Sequence, residues 1–446
     1  MRSRSLTEGS VGQSLFFFVL PLMLGQFLQQ LYNVADAWVI GNFADNASFA
    51  AVSSCGNLSF LIVGFFMGLS TGAGVIIARY FGAQDSLNVE KAIHTTVLFG
   101  ILSSIIITII TTLLAPQLLI WMKTPENVLP LSITYFRIYC LGISTVIMYN
   151  LFMAIMRALG DSVSPLIFLC ISSIINVLLD LLFVAVLHLG VSGAASATIL
   201  AQGLSAILCF LQMQKDPFLR IHKEKLSLDS HKLYEIIMQG LPAGLQNSAL
   251  SLGNVVVQSH VNSFGEYAMA GMGAHSKIEG FVFIPILSIA MALATFISQN
   301  IGAGKWDRVK RGSVYAILSS LIIAQLIGLI LYTHASTFLS FFTSDPESIR
   351  YGCMFTRRLP LFYMCLAFTH AASGIMQGMG RSIYAMVNML TIWCFVRILY
   401  VTIALRICHE FQMICWAYPI TWSLTTILFT IMLITIIPKV KKSSTA

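Results

Sequence analysis

The pattern of apolar and polar residues predicts a chain built almost entirely of membrane-spanning helices. Apolar runs of about 20 residues, each long enough to cross the ~30 Å hydrocarbon core of a bilayer, recur along the chain between short polar breaks. Twelve spans are predicted, at residues 14–40, 52–78, 92–120, 131–156, 165–187, 192–213, 234–262, 278–300, 312–335, 350–377, 384–406 and 413–437. The expected fold class is therefore an all-α polytopic membrane protein.

A long polar segment divides these spans into two sets of six. It runs from Lys215 to Lys232 and contains the dense charge cluster of the middle of the chain. We therefore predict two six-helix lobes joined by a linker. The predicted parts are an N-terminal tail at 1–13, an N-lobe at 14–214, a linker at 215–233, a C-lobe at 234–437 and a C-terminal tail at 438–446.

The two lobes resemble each other in sequence. A shift of about 220 residues places Pro21 on Pro242, Asn33 on Asn254, IIARYFGAQD on FISQNIGAGK, and MRALGDS on MQGMGRS. Because six is an even number of spans, both copies have the same orientation and are related by an axis along the membrane normal. This arrangement is typical of a transporter with a cavity between two lobes.

Composition and charge narrow the function classes. Charged residues make up 10% of the chain and hydrophobic residues 57%, whereas a soluble domain needs about 25% charged residues. The net charge of +8 comes from Lys and Arg residues in connecting segments, so we expect no nucleic-acid partner. With both termini in the cytoplasm, 18 basic residues fall on the cytoplasmic side and four on the other, which supports this orientation.

Sequence motifs do not indicate an enzyme. The segment GLSTG around Ser70 matches the GxSxG pattern of a nucleophile elbow, but it lies in an apolar helix without an acid or histidine for a triad. The chain has neither a Walker A loop nor an HExxH motif. We therefore expect no catalysis, no cofactor and no structural metal.

Two acidic residues lie inside predicted spans, Asp36 in the first and Asp180 in the fifth. A carboxylate at such a depth costs roughly 3 kcal/mol on insertion scales, so each is expected to face a protein cavity and to have a function. The alternative is that each is a structural partner of a buried arginine, for which Arg397 and Arg137 are the candidates.

Polar neighbours accompany both acids. The first helix carries a polar stripe at spacings of 3, 4 and 3, formed by Gln26, Gln29, Asn33 and Asp36. Tyr32 precedes Asp36 by four residues, and Asn176 precedes Asp180 by four. An amide beside a carboxyl group can hydrogen-bond to either of its protonation states. The pair is thus a candidate site for a coupling ion, with H⁺ and Na⁺ both open.

The corresponding stripe of the second half has no acid. It consists of Asn247, Ser251, Asn254 and Gln258. The coupling ion is therefore expected in the N-lobe. Glu279 is the nearest acid of the C-lobe, and with Lys277 two residues away an interfacial role and an ion site are both open.

Each half also has a proline well inside its first helix, Pro21 and Pro242. A proline removes one backbone hydrogen bond, so either position is a candidate hinge. A kink that is merely tolerated is the alternative. The sequence does not separate these two interpretations.

Several motifs are typical of one transporter family. They are a first-helix proline followed by LYNVADAWVIG, the loops IIARYFGAQD and ISQNIGAGK, the pair MRALGDS and MQGMGRS, and the closing WAYPITW. These motifs span nearly the whole chain. In them the chain resembles the MATE (multidrug and toxin extrusion) family, and most of all its DinF-like branch. The resemblance implies a twelve-helix, two-lobed MATE-type fold and antiport of H⁺ or Na⁺ against amphipathic, often cationic, drugs.

The resemblance also implies roles for single residues. Asp36, Asn176, Asp180 and Thr198 match the cation-coupling positions of that branch. Tyr32 and Asn150 line up with pocket positions of that branch. Gln26, Gln29 and Asn33 of the polar stripe are further candidate pocket residues. The carboxylates that NorM-like members carry on helices seven and ten have no counterpart here.

The resemblance sets the remaining expectations. The protein is expected to be a monomer in the cytoplasmic membrane of a bacterium, with the lipid bilayer and a small amphipathic molecule as its partners. Lipid-linked oligosaccharide or polysaccharide flippases belong to the same wider group and are the alternative. A flippase needs a broad basic cavity for pyrophosphate, for which the candidates are Arg137, Arg357, Arg358 and Arg397.

Overall fold

The computed structural model describes residues 5–122 and 124–445, and that part of the chain is helical with no strand. The first half contains α1 Val11–Phe43, α2 Asn46–Gly82, α3 Ser86–Trp121, α4 Leu129–Leu141, α5 Ile143–Ala158, α6 Val163–Asp180 and α7 Gly190–Lys215. The second half contains α8 Ser230–Asn262, α9 Glu266–Gly302, α10 Trp306–Thr333, α11 Ala335–Ser340, α12 Pro346–Thr356, α13 Tyr363–Gly378, α14 Ser382–Met389, α15 Arg397–Ile407 and α16 Phe411–Thr445.

Every predicted span lies mainly on helix in this structure, although the spans at 131–156 and 350–377 each contain a break. Ten segments of the described chain are long and apolar enough to cross a membrane, and α4 with α5, bent by 45°, form an eleventh. Helix α8 has 33 residues and is long enough to be the twelfth. Its stripe of Asn and Ser side chains makes it less apolar than the others. The all-α, multi-pass prediction is confirmed.

The outer faces of the helices are apolar. On α3 the exposed side chains include Leu102, Ile106, Ile109 and Leu113. Their spacing of three to four residues places them on one helix face. Apolar side chains are stable in contact with lipid chains, whereas exposing them to water costs free energy. This face of α3 is therefore a lipid-facing stripe.

Short segments of other helix types interrupt several spans. Leu181–Val186 continues α6 as a π-helix directly after Asp180, and Leu390–Val396 joins α14 to α15 in the same form. Leu359–Phe362 is a 3₁₀ turn between α12 and α13. π-helical turns are rare and often lie at functional sites. Two candidate residues, Asp180 and Arg397, adjoin them.

The break between α4 and α5 is at Gly142. A Cβ atom at this position would overlap the side chain of Ile199 on α7. Only glycine therefore allows α7 to pack this closely at the bend. The spacing of apolar residues gave no sign of this break, because both half-helices are apolar.

Gly142→Ala is expected to destabilise the protein by about 1–3 kcal/mol, the usual cost of overpacking. The melting temperature of the purified protein should fall accordingly. Gly203→Ala is the matched control, because its Cβ atom would meet Thr145 at 3.6 Å, an ordinary van der Waals distance. Equal melting temperatures for the two variants would contradict the packing argument.

Aspartate side chains cap several helices outside the spans. Asp45 accepts from the Ser48 backbone N–H at 3.0 Å, and Asp85 accepts from the Asn88 N–H at 3.1 Å. Hydrogen bonds from Ser48 hold the pKa of the Asp45 carboxyl below its usual range. These caps satisfy donors that would otherwise be unpaired at helix N-termini.

The helices form two compact units. The first contains Ser5 and Leu20–Gly244, and the second contains Leu6–Val19 and the chain from Leu245 onward. The unit boundaries thus fall within α1 and α8, next to Pro21 and Pro242, and the segment predicted as linker belongs to the first unit. Both prolines lie inside continuous helix. Their role as hinges stays a prediction.

In the second unit, the segment before α1 is fixed to the start of α10. The Arg308 guanidinium donates to the carbonyl oxygens of Leu6 at 3.0 Å and of Glu8 at 3.0 Å. Asn300 donates to Leu6 O at 3.2 Å, and Gln299 accepts from the Leu6 N–H at 2.9 Å. The second copy of the repeated loop motif thus holds the N-terminal segment.

In the first unit, glycines allow α2 and α8 to touch. Cβ atoms at Gly68 and Gly72 would overlap the backbones of Gly244 and Gly240. The glycines are four residues apart on each helix, so they form one continuous contact stripe. GxxxG repeats typically mediate close packing of this kind between membrane helices.

Candidate functional site

The carboxyl groups of Asp36 on α1 and Asp180 on α6 are in hydrogen-bonding contact with each other. Asp180 is fully buried and Asp36 is half-buried. On each carboxyl the Oδ1 atom is buried and accepts no hydrogen bond. Two carboxyl groups hydrogen-bond only if they share a proton, and otherwise their charges repel unless a cation lies between them.

An amide connects this pair to α7. With its amide oriented so that both atoms are satisfied, Asn176 donates to Asp180 Oδ2 at 2.9 Å and accepts from the Thr198 backbone N–H at 3.3 Å. Asn176 is fully buried. Since it lies one helical turn before Asp180, the same face of α6 carries both groups.

Two hydroxyl groups extend the cluster back to α1. The Tyr32 hydroxyl hydrogen-bonds to the Thr198 side chain, whose own proton goes to Ala194 O at 3.1 Å. Tyr32 lies one turn before Asp36 and so shares its helix face. Helices α1, α6 and α7 therefore bring together Tyr32, Asp36, Asn176, Asp180 and Thr198. Their roles in ion coupling and substrate binding stay predictions.

Sequence reasoning missed two aromatic members of the cluster. Tyr135 and Tyr139 on α4 are buried and stacked, with ring centroids 6.3 Å apart and planes at 12°. Tyr135 is close enough to Asp36 and Tyr32 to interact with them electrostatically. The i, i+4 spacing of the two tyrosines was visible, but nothing in the sequence separates an aromatic residue facing a pocket from one facing lipid.

The remaining predicted pocket residues lie at different depths. Gln29 and Asn33 are exposed on α1, and Gln26 is half-buried. Asn150 is buried on α5, where its amide donates to Val146 O at 2.8 Å. Their contact with a substrate stays a prediction.

The structure argues against arginine as the partner of the two acids. Within the described residues the ion pairs are Lys225–Glu90, His231–Glu235, Lys232–Glu235 and Arg350–Glu347, so neither Asp36 nor Asp180 is paired. Arg137 is exposed, and Arg397 donates to Thr421 and Asn254. The acids have each other as partners instead.

The four arginines that a flippase would need are in different surroundings. Arg137 and Arg357 are exposed, and Arg358 donates to Gln412 Oε1 at 2.7 Å. Only Arg397, among these four, is buried in the helical core. A broad basic cavity for pyrophosphate would require several of them together.

A comparison with protein families decides the identity. The family model described as MatE matches residues 21–182 and 242–403, well over half of the chain. The chain belongs to the MatE family. The two matches begin at Pro21 and Pro242, so they also confirm the internal repeat. The assignment to the DinF-like branch stays a prediction.

Relatives and solved structures agree with this result. The MatE-family chain is 28% identical over 394 residues to the probable multidrug resistance protein YpnP of Bacillus subtilis (strain 168), covering 88% of each chain. It is 23% identical over 366 residues to a FAD transporter of Shewanella oneidensis, covering 80% of each. The crystal structure of a MATE protein in the bent conformation matches all of both chains with a TM-score of 0.93 at 22% identity, which confirms the fold.

Proposed function

We propose that this MatE-family protein exports amphipathic, often cationic, drugs in exchange for H⁺ or Na⁺ by alternating access. The observation that carries the proposal is the contact between Asp36 and Asp180 without an arginine partner. Relatives named as multidrug resistance proteins support the substrate class. A buried carboxyl pair can hold one monovalent cation. Antiport requires a binding site of this kind for the coupling ion.

In the proposed cycle the ion binds between Asp36 and Asp180 in the outward-open state. Both carboxyls then attract one cation, so α1 is drawn towards α6 and bends about Pro21. Tyr32 moves with α1, so the pocket shrinks and the drug leaves. Return to the inward-open state releases the ion and admits a new drug molecule.

For a neutral substrate, the membrane potential is large enough to drive this exchange. One charge crossing 100 mV releases roughly 2.3 kcal/mol. A tenfold concentration ratio corresponds to about 1.4 kcal/mol. One ion per cycle thus supports more than a tenfold accumulation of a neutral substrate outside the cell.

The distribution of basic residues supports the proposed orientation. We place the protein in the bacterial cytoplasmic membrane, as a monomer with both termini in the cytoplasm. The 18 basic residues assigned to the cytoplasmic side against four on the other support the orientation of the termini.

Ion flux in liposomes tests the proposal. Purified protein is reconstituted in Na⁺-free liposomes that contain a pH-sensitive dye, and ethidium is added. Ethidium-dependent proton movement is expected if H⁺ is the coupling ion, and flux that appears only after addition of NaCl identifies Na⁺. Liposomes with Asp36→Asn protein are the control. Ethidium movement without any ion dependence would reject the antiport mechanism.

A further inference from the structure

The second unit has a polar centre that corresponds to the ion site of the first. The repeat relates α1, α6 and α7 to α8, the α14–α15 span and α16. In the first unit these helices supply Asp36, Asn176, Asp180 and Thr198. The offset of 221 residues between the two family matches places Arg397 on Asn176, and it places Val257 and Val401 on Asp36 and Asp180. In the second, α8 supplies Asn254, α15 supplies Arg397 and α16 supplies Thr421.

Arg397 lies at the middle of this second centre with 2% of its surface exposed. Its Nη2 and Nε atoms donate to Thr421 Oγ1 at 3.0 and 3.3 Å, and Nη1 donates to Asn254 Oδ1 at 3.5 Å. The guanidinium carbon also lies 4.5 Å from the ring centroid of Tyr418 and 5.1 Å from that of Trp393. Hydrogen bonds and two aromatic faces thus fix a cation at the position where the first unit has Asn176, the amide that donates to Asp180.

No carboxylate neutralises Arg397 directly. Within the described residues it forms no ion pair, and the acid whose charge interacts with it is Glu279 on α9. Glu279 is half-buried, and its Oε1 atom accepts no hydrogen bond. A carboxylate with an unused acceptor would attract a mobile cation, but a fixed guanidinium nearby already supplies a positive charge.

We propose that Arg397 is a tethered cation, which takes in the second unit the place that the coupling ion takes in the first. It prevents Glu279 from binding a coupling ion, so each chain has a single ion site. This inference rests on the proposed function, because it assumes an ion at Asp36 and Asp180. It assigns to Arg397 the control of ion stoichiometry.

Other titratable groups near this centre are Tyr418 on α16, Tyr363 on α13 and Cys394 in the π-helical segment. Tyr418 and Cys394 interact with Arg397, and Tyr363 interacts with Glu279. These phenol and thiol groups are neutral when protonated. His370 on α13, whose ring centroid lies 5.7 Å from that of Trp393, can take up a proton but lacks the negative charge that holds Na⁺. Glu279 is therefore the group expected to gain a cation once Arg397 is removed.

Thermal stabilisation of the purified protein by cations tests this assignment. The parent is the Asp36→Asn/Asp180→Asn variant, which lacks the first ion site, and its melting temperature is measured with and without NaCl over a pH series. Adding Arg397→Gln is expected to create stabilisation by Na⁺ or H⁺ of about 2 °C or more, because a ligand that binds only the native state raises its melting temperature. Adding Arg397→Lys, the conservative control, is expected to leave the parent unchanged.

A further substitution, Glu279→Gln, should remove the stabilisation that Arg397→Gln creates. The proposal is overturned if Arg397→Gln gives no cation effect, or if the effect survives Glu279→Gln. If the Arg397→Gln protein does not fold, Glu279→Gln alone is compared with the wild type in liposomes. An unchanged ion-to-drug ratio is expected, and a reduced ratio would overturn the proposal. Failure of the proposed function would appear separately, as ion-independent ethidium movement in the wild type.

Discussion

Asp36→Asn is expected to abolish drug resistance in cells while the amount of protein in the membrane stays normal. The variant keeps the shape of the side chain, but an amide can neither share a proton with Asp180 nor contribute a negative charge to hold Na⁺. Without ion binding, the step that expels the drug has no driving force. Resistance should fall to the level of cells without the protein, measured as the minimal inhibitory concentration of ethidium alongside membrane immunoblots.

Two further variants make this test specific. Asp180→Asn should cause the same loss, and the double variant should be no worse than either single one, because the two carboxyls act as a unit. Asp45→Asn is the matched control, since Asp45 caps α2 outside the spans and asparagine is an equally good cap. Its resistance should be normal. Normal resistance with Asp36→Asn would refute the assignment of the ion site.

Gly72→Ala is expected to cause a loss of stability that is large for a single methyl group. The new Cβ atom would overlap the backbone of Gly240, and a backbone cannot move aside as a side chain can. Helices α2 and α8 would have to separate, at a cost of about 1–3 kcal/mol or more. The melting temperature of the purified protein should fall by several degrees, and Gly68→Ala, facing Gly244, should behave alike.

The control for this prediction lies on the same helix. A Cβ atom at Gly56 on α2 would meet nothing within 4 Å. Gly56→Ala is therefore expected to leave the melting temperature unchanged or to raise it slightly, because alanine is the better helix former. If the Gly72→Ala and Gly56→Ala proteins had the same melting temperature, the prediction that the close contact between α2 and α8 stabilises the protein would be wrong.

The positions of helices and the repeat were predictable because the bilayer imposes them locally. A segment must be about 20 apolar residues long to cross the membrane, whatever its neighbours are, so hydropathy alone located the spans. Within a span a charged residue is costly, which singled out Asp36 and Asp180 without any knowledge of packing. A constant offset between motifs exposed the duplication.

Breaks within spans were not predictable in the same way. Gly142 and the π-helical turns at Leu181–Val186 and Leu390–Val396 lie in stretches as apolar as regular helix. The close contact at the break is with Ile199, which is 57 residues further along the chain. A local pattern contains no such information.

By itself, the sequence determined the helical class and singled out the two acids within spans, since both depend on what a residue loses when it leaves water. It also determined the two-fold repeat, through the constant offset between motifs. Tertiary structure decided which groups meet. Asp36 and Asp180 are 144 residues apart, and only the packing of α1 against α6 brings their carboxyls together. Helix packing also brings Tyr135 close to Asp36, and it places Arg397 between Thr421 and Asn254. Contacts of this kind depend on helix rotation and distance, which hydropathy does not specify.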